Sequence, residues 1–514
     1  MGQGQGSSRQ TTSCRVDRAG LEEEEYLTLC KNLEISEDSI QASVTLPSFL
    51  ARFPAHLRPL VQPLFFQLAR LPAEGTVSAG AITRNPSVNS ARSSGTSSPS
   101  GRRRSKESSN IGIEGSFTGC SSEPLAAEPA APWPIFVAGI AELLRDGATW
   151  AALLEAWIGE EGGASDPRLA SRCEAGTELA VALCFWCAHP RLAPGPGAPG
   201  GMPTSAAALL VTGDTALAPL DSVLSVLRPR IHNLSSIVGS DGSSAAFVSH
   251  LAADLPCLTR GVGPRLRQAL LQVPPALDCP VPESRIIDAG LSFILRGINA
   301  QLWSSESWIP LFRDAVDGRS FNGLLKGTLH YGGIAVLLIR GAAGEVLGAV
   351  SNCWEEGNGK YGGGAECLLF ALRPQLKVCR STGRFDSYVY LNSRNKHAPR
   401  GLGFGGQVGC FRLWIDADMD ECQVLESDAT YQKGRLLQGN DYQLSFKISH
   451  LEVWGASGAE AREAQLEGKA RSESVRMQAR KVDRARMVEN EFDKEMFFSN
   501  TFGGSADKTD RAQT

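Results

Sequence analysis

The pattern of apolar and polar positions divides the chain into three parts. From residue 19 to residue 280, apolar residues recur every three to four positions, which predicts helices. From 281 to 455, short β-branched and aromatic runs alternate with glycine-rich turns, which predicts strands. From 459 to 498 the chain is dense in Glu, Lys, Arg, Gln and Ala and contains no proline, which predicts one long amphipathic helix. The expected fold class is therefore α+β.

The helical part is interrupted twice. Helical periodicity is found in residues 19–72 and again in residues 132–280, and we expect the two stretches to pack as one N-terminal region. The intervening residues 73–131 are rich in Ser, Gly and Arg and contain too few large apolar residues to offset the entropy of ordering, so they are predicted to be a disordered linker. A Gly/Pro-rich linker is predicted at 193–203.

The strand candidates are short and separated by turns, which favours a β-sandwich with flanking helices. A helix is predicted immediately before them, at residues 286–302. The strand candidates are residues 328–339, 346–350, 367–372, 388–391, 410–415 and 448–453.

Composition and charge narrow the classes of function. A chain of 514 residues is too long for one core, so several are expected. The net charge of −4 is not typical of nucleic-acid-binding proteins, which need a basic surface to bind phosphate groups. Thirteen cysteines, odd in number, without an apolar leader run indicate reduced thiols in the cytoplasm. The longest apolar runs are strand-sized, so no segment is expected to span a bilayer.

Ordered motifs in the strand-rich part resemble the TLDc family, and they cover about a third of the chain. They are Trp308, 317–321 (DGRSF), 335–339 (AVLLI), 344–348 (GEVLG), 353–354 (CW), 364–370 (GAECLLF), 402–406 (LGFGG), 413–416 (LWID) and 451–455 (LEVWG). Residues 281–455 are therefore identified as one TLDc domain, a β-rich binding module. No settled catalytic residues accompany this family.

The layout of the whole chain resembles one TLDc subgroup, the mTOR-associated, lysosome-linked proteins. These carry Met-Gly at the start, a degenerate EF-hand-like helical region, a TLDc domain and a C-terminal helix. The resemblance implies protein binding, because TLDc proteins engage the vacuolar proton-pumping ATPase and have been associated with oxidation resistance. The expected partners are subunits of that pump and components of an mTOR complex, at the cytoplasmic face of a lysosomal or vacuolar membrane.

Three motifs mimic ligand sites, and each lacks a necessary part. Gly401-x-Gly403-x-x-Gly406 matches a dinucleotide pattern, but a strand follows it where a phosphate cradle needs a helix. Residues 416–420 begin like a calcium loop without its glycine and its terminal glutamate. The CxxC at 184–187 has no second pair. We therefore expect no catalytic, cofactor or metal site, and no enzyme.

Two thiols remain candidates for peroxide chemistry. Cys367 follows Glu366, and Cys410 follows a glycine-rich segment. A reactive thiolate needs an exposed, electropositive setting. Both cysteines lie in strand-like runs, where burial is the more frequent outcome. The alternative function is therefore an oxidation-resistance protein in which Cys367 or Cys410 reacts with peroxide.

The N-terminus carries a candidate lipidation site. Gly2 follows the initiating methionine in a polar, flexible segment of residues 1–18, although the sixth position is Gly6 where the acylation signal has a hydroxyl residue. One acyl chain anchors a protein only reversibly. A second signal could come from Cys14, from Arg9 or from the basic cluster at 102–104. Peripheral membrane association is therefore expected.

The predicted C-terminal helix carries a narrow apolar stripe. Val475, Val482, Phe492 and Met496 lie near heptad positions on an otherwise charged rod, so they are the candidate partner-binding residues. Residues 499–514 are predicted to be a disordered tail. The leading hypothesis is a non-enzymatic regulator that docks on a vacuolar-type proton pump through the TLDc domain and this helix. A scaffold for growth signalling at the lysosome is compatible with it.

Overall fold

The computed structural model describes most of the helical part, nearly all of the strand-rich part and most of the C-terminal helix. The described residues are 21–35, 42–55, 57–70, 130–145, 149–151, 153–154, 169–193, 218–241, 244–274, 279–352, 354–357 and 359–488. Gly2, Arg9, Cys14, the basic cluster at 102–104, Phe492, Met496, the Gly/Pro-rich residues 194–203 and the predicted tail lie outside them.

The N-terminal region consists of helices and one short two-stranded ribbon. The helices are α1 (Glu23–Asn32), α2 (Leu46–Ala51), α3 (Arg58–Arg70), α4 (Trp133–Arg145), α5 (Leu169–Ala188), α6 (Ala218–Asp241), α7 (Ser244–Asp254) and α8 (Val262–Leu271). The strands are β1 (Ser43–Thr45) and β2 (Ala130–Pro132), which pair antiparallel.

The ribbon brings the two helical stretches together into one core. Each of its strands runs directly into a helix, β1 into α2 and β2 into α4, so the unit consists of two helix–strand–helix segments, as expected for an EF-hand-like region. Three phenylalanines from both sides of the long insertion are in ring contact: Phe49 lies 5.4 Å from Phe65 and 5.7 Å from Phe136. All three are fully buried.

The strand-rich part forms one antiparallel sheet of eleven strands. They are β3 (Ile309–Arg313), β4 (Ala335–Gly341), β5 (Val346–Ser351), β6 (Tyr361–Gly362), β7 (Leu368–Arg373), β8 (Lys377–Arg380), β9 (Val389–Asn392), β10 (Gly401–Phe404), β11 (Leu413–Asp416), β12 (Glu421–Leu425) and β13 (Gln443–Gly455). Their order is β6-β9-β10-β11-β12-β13-β4-β5-β7-β8, with β3 also paired to β13.

Strand β13 is the element that turns this sheet into a sandwich. The first five of its thirteen residues pair with β12, and residues 448–455 pair with β4. Apolar residues of both half-sheets, such as Leu337 of β4 and Leu402 of β10, belong to the same buried cluster. The two halves therefore face each other across one core while sharing a strand.

The half-sheet around β4 is buried on both faces. Leu337 and Ile339 face the other half-sheet, whereas Val336 and Leu338 belong to the cluster formed with the N-terminal helices. This alternation follows from the two-residue period of a strand. It also explains why the strand reads as a continuous apolar run and not as an alternating one.

Helices flank the sheet, and two sequence predictions are corrected here. The flanking helices are α9 (Ala289–Ile298), α10 (Ala300–Ser304), α11 (Asp314–Asp317) and α12 (Phe321–Thr328). The predicted helix at 286–302 is split at Asn299, which adopts an extended conformation and caps α10. The predicted strand at 328–339 begins only at Ala335, because the helix capped by Ser320 runs through Thr328 and residues 329–334 form the turn that follows it.

The last described element is α13 (Gly458–Val488), a helix of 31 residues. It begins three residues after the end of β13. Across the described part of the chain, no helix combines the length and apolar character needed to cross a bilayer.

Candidate functional site

The landmark Asp-Gly-Arg-Ser-Phe segment stabilises the fold. The guanidinium group of Arg319 donates hydrogen bonds to the carbonyls of Ile448 and Ser449, at 2.9 and 2.5 Å, and to the carboxylate of Asp314 at 3.1 Å. Asp317 accepts a hydrogen bond from the backbone N–H of Arg313 at 2.8 Å. These contacts bind the loop to β13, so the motif residues have a structural role.

The landmark residues of β13 are equally structural. Glu452 is buried and accepts hydrogen bonds from the hydroxyl of Ser284, the backbone N–H of Arg285 and the indole N–H of Trp454, at 2.5, 2.9 and 2.8 Å. The guanidinium carbon of Arg313 lies 5.8 Å from the ring centroid of Trp454. A buried carboxylate is stable only when it is hydrogen-bonded in this way. Glu452 therefore joins the beginning of the domain to its last strand.

The glycine-rich segment is a strand followed by a hairpin turn. Gly403 lies in β10, where an added Cβ would approach the ring of Phe411 to 2.6 Å. Gly406 has a positive φ of 70°, and its N–H donates to the carboxylate of Asp428 at 3.0 Å. Buried Arg412 lies beside the same carboxylate, with its Nε 3.9 Å from Oδ1. The glycines allow close packing, and no helix follows them to receive a phosphate group.

The aspartate triplet forms a tight turn between β11 and β12. The carboxylate of Asp416 accepts hydrogen bonds from the backbone N–H groups of Asp418 and Met419, at 3.1 and 3.0 Å. Met419 has a φ of 60°. Throughout the described residues, no three His, Cys, Asp or Glu side chains are grouped so that they could hold a metal ion.

The two redox candidates lie in different environments. Cys367 is buried, as expected, with its Sγ 3.7 Å from the amide oxygen of Asn352. The expectation of burial was wrong for Cys410, which is exposed. The reason is that residues 407–410 form the hairpin turn, and the strand begins only at Leu413. Of the two thiols, Cys410 is the accessible one.

The CxxC pair lies in the interior of α5. Cys184 and Cys187 are both buried. Burial raises the pKa of Cys187 to about 12, although nearby Arg265 lowers it somewhat. Since the thiolate is the nucleophile and the metal ligand, these thiols are inert in the folded protein.

The side chains of α13 bind the exposed carbonyls at the end of α12. Gln465 is fully buried, and its amide N–H donates to the carbonyls of Gly327 and Leu329, both at 2.8 Å. The ammonium group of Lys469 donates to the carbonyl of Lys326 at 2.7 Å. The last carbonyls of a helix have no partner within the helix, and cations are favourable there. The first part of α13 is thereby fixed to the domain.

Lys469 lies in a strongly positive environment. Burial, followed by the charges of Arg462 and Lys326, lowers its pKa from 10.5 to about 8. Three residues further along the helix, the hydroxyl of Ser472 lies 3.4 Å from Nε2 of His330. Residues 462, 465, 469 and 472 share one face of the helix, as their spacing requires. We call residues 458–472 the root of α13.

Beyond the root, α13 exposes apolar side chains. Val475 and Met477 are 60% and 54% exposed, and Leu466 within the root is 52% exposed. Of the predicted partner-binding residues, Val475 is thus on the surface, whereas the side chain of Val482 lies outside the described part. Sequence reasoning missed Gln465 and Lys469, which only their tertiary contacts identify, and Met477, which its exposure in the structure identifies.

The comparison with protein families agrees with this architecture. The family model described as the TLDc domain matches residues 282–457, which cover the sheet and its flanking helices. The predicted resemblance of this segment to the TLDc family is therefore confirmed.

Comparison with curated proteins gives relatives that match about a third of the chain. This chain is 36% identical over 153 residues to MTOR-associated protein MEAK7 of Danio rerio, and the match covers 29% of this chain and 33% of the relative. It is 32% identical over 185 residues to the Homo sapiens protein of that name, covering 34% and 39%. It is 27% identical over 148 residues to Oxidation resistance protein 1 of Rattus norvegicus, covering 29% and 16%. The matches thus span about 39% or less of the length of these relatives.

Proposed function

We propose that this protein is a non-enzymatic regulator that binds a vacuolar-type proton pump through its TLDc domain and α13. The observation that carries the proposal is a helix whose root is bound to the domain and whose outer part exposes Val475 and Met477. A firmly attached helix loses little conformational freedom on binding, which lowers the cost of association. Its exposed apolar groups supply the surface that a partner would bury.

Growth signalling and membrane attachment complete the proposal. Relatives of this chain are named MTOR-associated proteins, which supports a link to mTOR-type signalling, with mTOR complex components as further partners. We place the protein in the cytoplasm, peripheral to lysosomal or vacuolar membranes. Acylation of Gly2 would attach it reversibly.

A direct binding experiment tests the proposal. Full-length protein and a chain ending at residue 473, which keeps the root, are immobilised and incubated with detergent-solubilised vacuolar-type pump. We expect the pump to be retained by the full chain and largely lost with the shortened one, because the shortened chain lacks Val475 and Met477. Pump subunits are measured by quantitative immunoblotting.

A point variant separates recognition from folding. V475E/M477E places charge on the exposed apolar positions and leaves the root contacts intact, so it should bind the pump at least about tenfold more weakly. L466A is the matched control, because Leu466 is similarly exposed but lies within the root. If the full chain retains no pump, or if V475E/M477E retains as much as the control, the proposal is wrong.

A second candidate function is direct reaction of Cys410 with peroxide. Its exposure favours Cys410 over the buried Cys367, and relatives named Oxidation resistance protein 1 support the class of function. The thiolate sulfur would attack one peroxide oxygen, break the O–O bond and form a sulfenic acid, while the other oxygen leaves and is protonated to water. The sulfur is oxidised and the peroxide is reduced.

Sulfenic-acid trapping tests this second function. The folded chain is treated with hydrogen peroxide and a dimedone-type reagent, and the modified residue is identified by peptide mass spectrometry. We expect modification at Cys410, and its loss in C410S. Equal peroxide consumption by C410S and the unsubstituted chain would eliminate this function.

A further inference from the structure

A groove lies between the end of α12 and the outer part of α13. Its volume is about 450 Å³. Leu325 and Leu329 contribute from the α12 side, and Met477 from α13. Leu325 is buried and Met477 is half exposed, so the floor of the groove is apolar and continuous with the domain core.

The sides of the groove are strongly positive. Lys326, Lys469, Arg476 and Arg480 line it, and Glu473 is the only carboxylate among the lining residues that the structure describes. The whole chain has a net charge of −4, so this concentration of cations is local. Burial, followed by the charges of Arg462 and Lys326, lowers the pKa of Lys469 to about 8, and of these two cations Lys326 lines the groove.

The cations of α13 follow one line along the groove. Lys469, Arg476 and Arg480 are seven and four residues apart, which keeps them near one face of the helix. At 1.5 Å per residue they extend over about 17 Å. That length corresponds to roughly three turns of a second helix lying alongside.

His330 supports the idea that this groove is a binding site. It lines the groove and has a φ of 64°, in the left-handed region that only glycine adopts without cost. Its backbone N–H donates to the carbonyl of Trp354 at 3.2 Å, and its Nε2 lies 3.4 Å from the hydroxyl of Ser472. Residues held in such conformations cluster at ligand sites, because the surrounding structure must maintain them.

We propose that this groove binds an acidic, amphipathic helical segment of a partner protein, with carboxylates along the line of cations and apolar side chains on the floor. Charge complementarity selects the acidic segment over a neutral one. The apolar floor favours a peptide over a phosphate group, which would leave Leu325, Leu329 and Met477 without contact. The inference rests on the proposed function, in that it specifies the chemistry of the partner segment that meets α13.

Binding of a designed peptide tests the proposal directly. The peptide is a labelled helix with glutamates spaced to match Lys469, Arg476 and Arg480 and with leucines on the adjacent face; in the control peptide every glutamate is glutamine. Fluorescence anisotropy with the full chain should show binding of the glutamate peptide, weakening as salt concentration rises. The affinity of the glutamine peptide should be lower than that of the glutamate peptide by at least about tenfold.

Two charge reversals on the same helix provide matched variants. Arg476 lines the groove, whereas Arg471 is exposed and lies on the opposite face. R476E should weaken binding of the glutamate peptide by about tenfold, and R471E, with the same change of charge, by about twofold or less. Equal effects of R476E and R471E, or equal binding of the two peptides, would overturn the proposal.

Vesicle binding and pump retention provide two further measurements that test the proposal. Phosphatidylserine vesicles test the alternative occupant. If the unsubstituted chain binds the vesicles, the R476E variant does not, and the glutamate peptide fails to bind, the groove binds a membrane and the proposal is wrong. Pump retention is measured separately on R476E and R471E. Peptide binding without any pump retention by the full chain would end the proposed function and leave the specificity of the groove standing, so the two failures are distinguishable.

Discussion

The body of the molecule, by which we mean the described residues before α13, and the helix α13 use polar and apolar residues in opposite ways. In the body, charged residues such as Glu452 and Arg412 are buried and hydrogen-bonded, and large apolar residues are enclosed. In the outer part of α13, Val475 and Met477 are exposed and their helix is otherwise charged. The family landmarks lie in the body, so they mark how the domain folds. The surface available for recognition lies where the landmarks end.

The largest expected effect is on the body. W454A removes a buried indole together with its contact to Glu452 and should reduce the free energy of unfolding by about 3 to 5 kcal/mol. Urea unfolding followed by intrinsic fluorescence measures it. F385A is the control, because Phe385 is an exposed aromatic residue of the same domain. If W454A cost no more than F385A, the landmark tryptophan would not have the structural role assigned to it.

Acid should destabilise the body through His189. Burial, assisted by the charge of Arg296, lowers the pKa of this histidine from 6.5 to about 4. Between these values the unfolded chain binds the proton and the folded chain does not, so stability is present above pH 6.5 and is lost as pH falls towards 4. The loss should be about 3 kcal/mol.

Two variants test this pH dependence. H189F should flatten the acid limb of a plot of unfolding free energy against pH. H250Q, a change at an exposed histidine, should leave the limb unchanged. An acid limb that is as steep in H189F as in the unsubstituted chain would show that other groups cause it.

The root of α13 should show an intermediate effect. Q465A removes the side-chain donor to the carbonyl of Leu329 and the shortest of the hydrogen bonds to that of Gly327, and it should cost about 1 to 3 kcal/mol locally. Hydrogen exchange of residues 458–472 should accelerate. L466A, the neighbouring exposed position, should leave exchange within about twofold of the unsubstituted chain. Unchanged exchange in Q465A would mean that the root is not held by this side chain.

The smallest effect on stability is expected at the outer helix. V475S removes an exposed apolar group and should change the free energy of unfolding by less than about 0.5 kcal/mol. The same substitution should weaken pump binding measurably, because apolar contact with a partner is lost. If V475S instead lowered the free energy of unfolding and kept its pump binding, Val475 would have a structural role like that of the buried residues of the body.

Much of the fold could be predicted from local pattern. The TLDc segment was identified from ordered motifs, and the long C-terminal helix from its composition. Strands β3, β8, β10 and β12 were missed because four or five residues that include glycine or charge do not form a clear alternating pattern. The predicted strand at 328–339 began too early, because a helix ends at Thr328 and a turn at residues 329–334 precedes the strand.

The candidate site was predictable only in part. The exposure of Val475 follows from its place on a charged helix, whereas the burial of Gln465 depends on carbonyls that α12 presents from far away in sequence. Cys410 was expected to be buried, because a strand-like sequence does not reveal where a hairpin turn ends. Whether such residues are buried or exposed depends on contacts between elements that are distant in sequence.

The short junction between β13 and α13 makes the helix a lever arm. Only Ala456 and Ser457 separate the two elements, and the hydroxyl of Ser457 accepts a hydrogen bond from the N–H of Ile334 at 2.9 Å while its own N–H donates to the hydroxyl of Tyr331. With 31 residues at 1.5 Å each, the arm is about 46 Å long. A tilt of about 10° at the junction would move its far end by about 8 Å. A small rearrangement at this edge of the sheet would therefore be amplified into a large displacement at a distant partner.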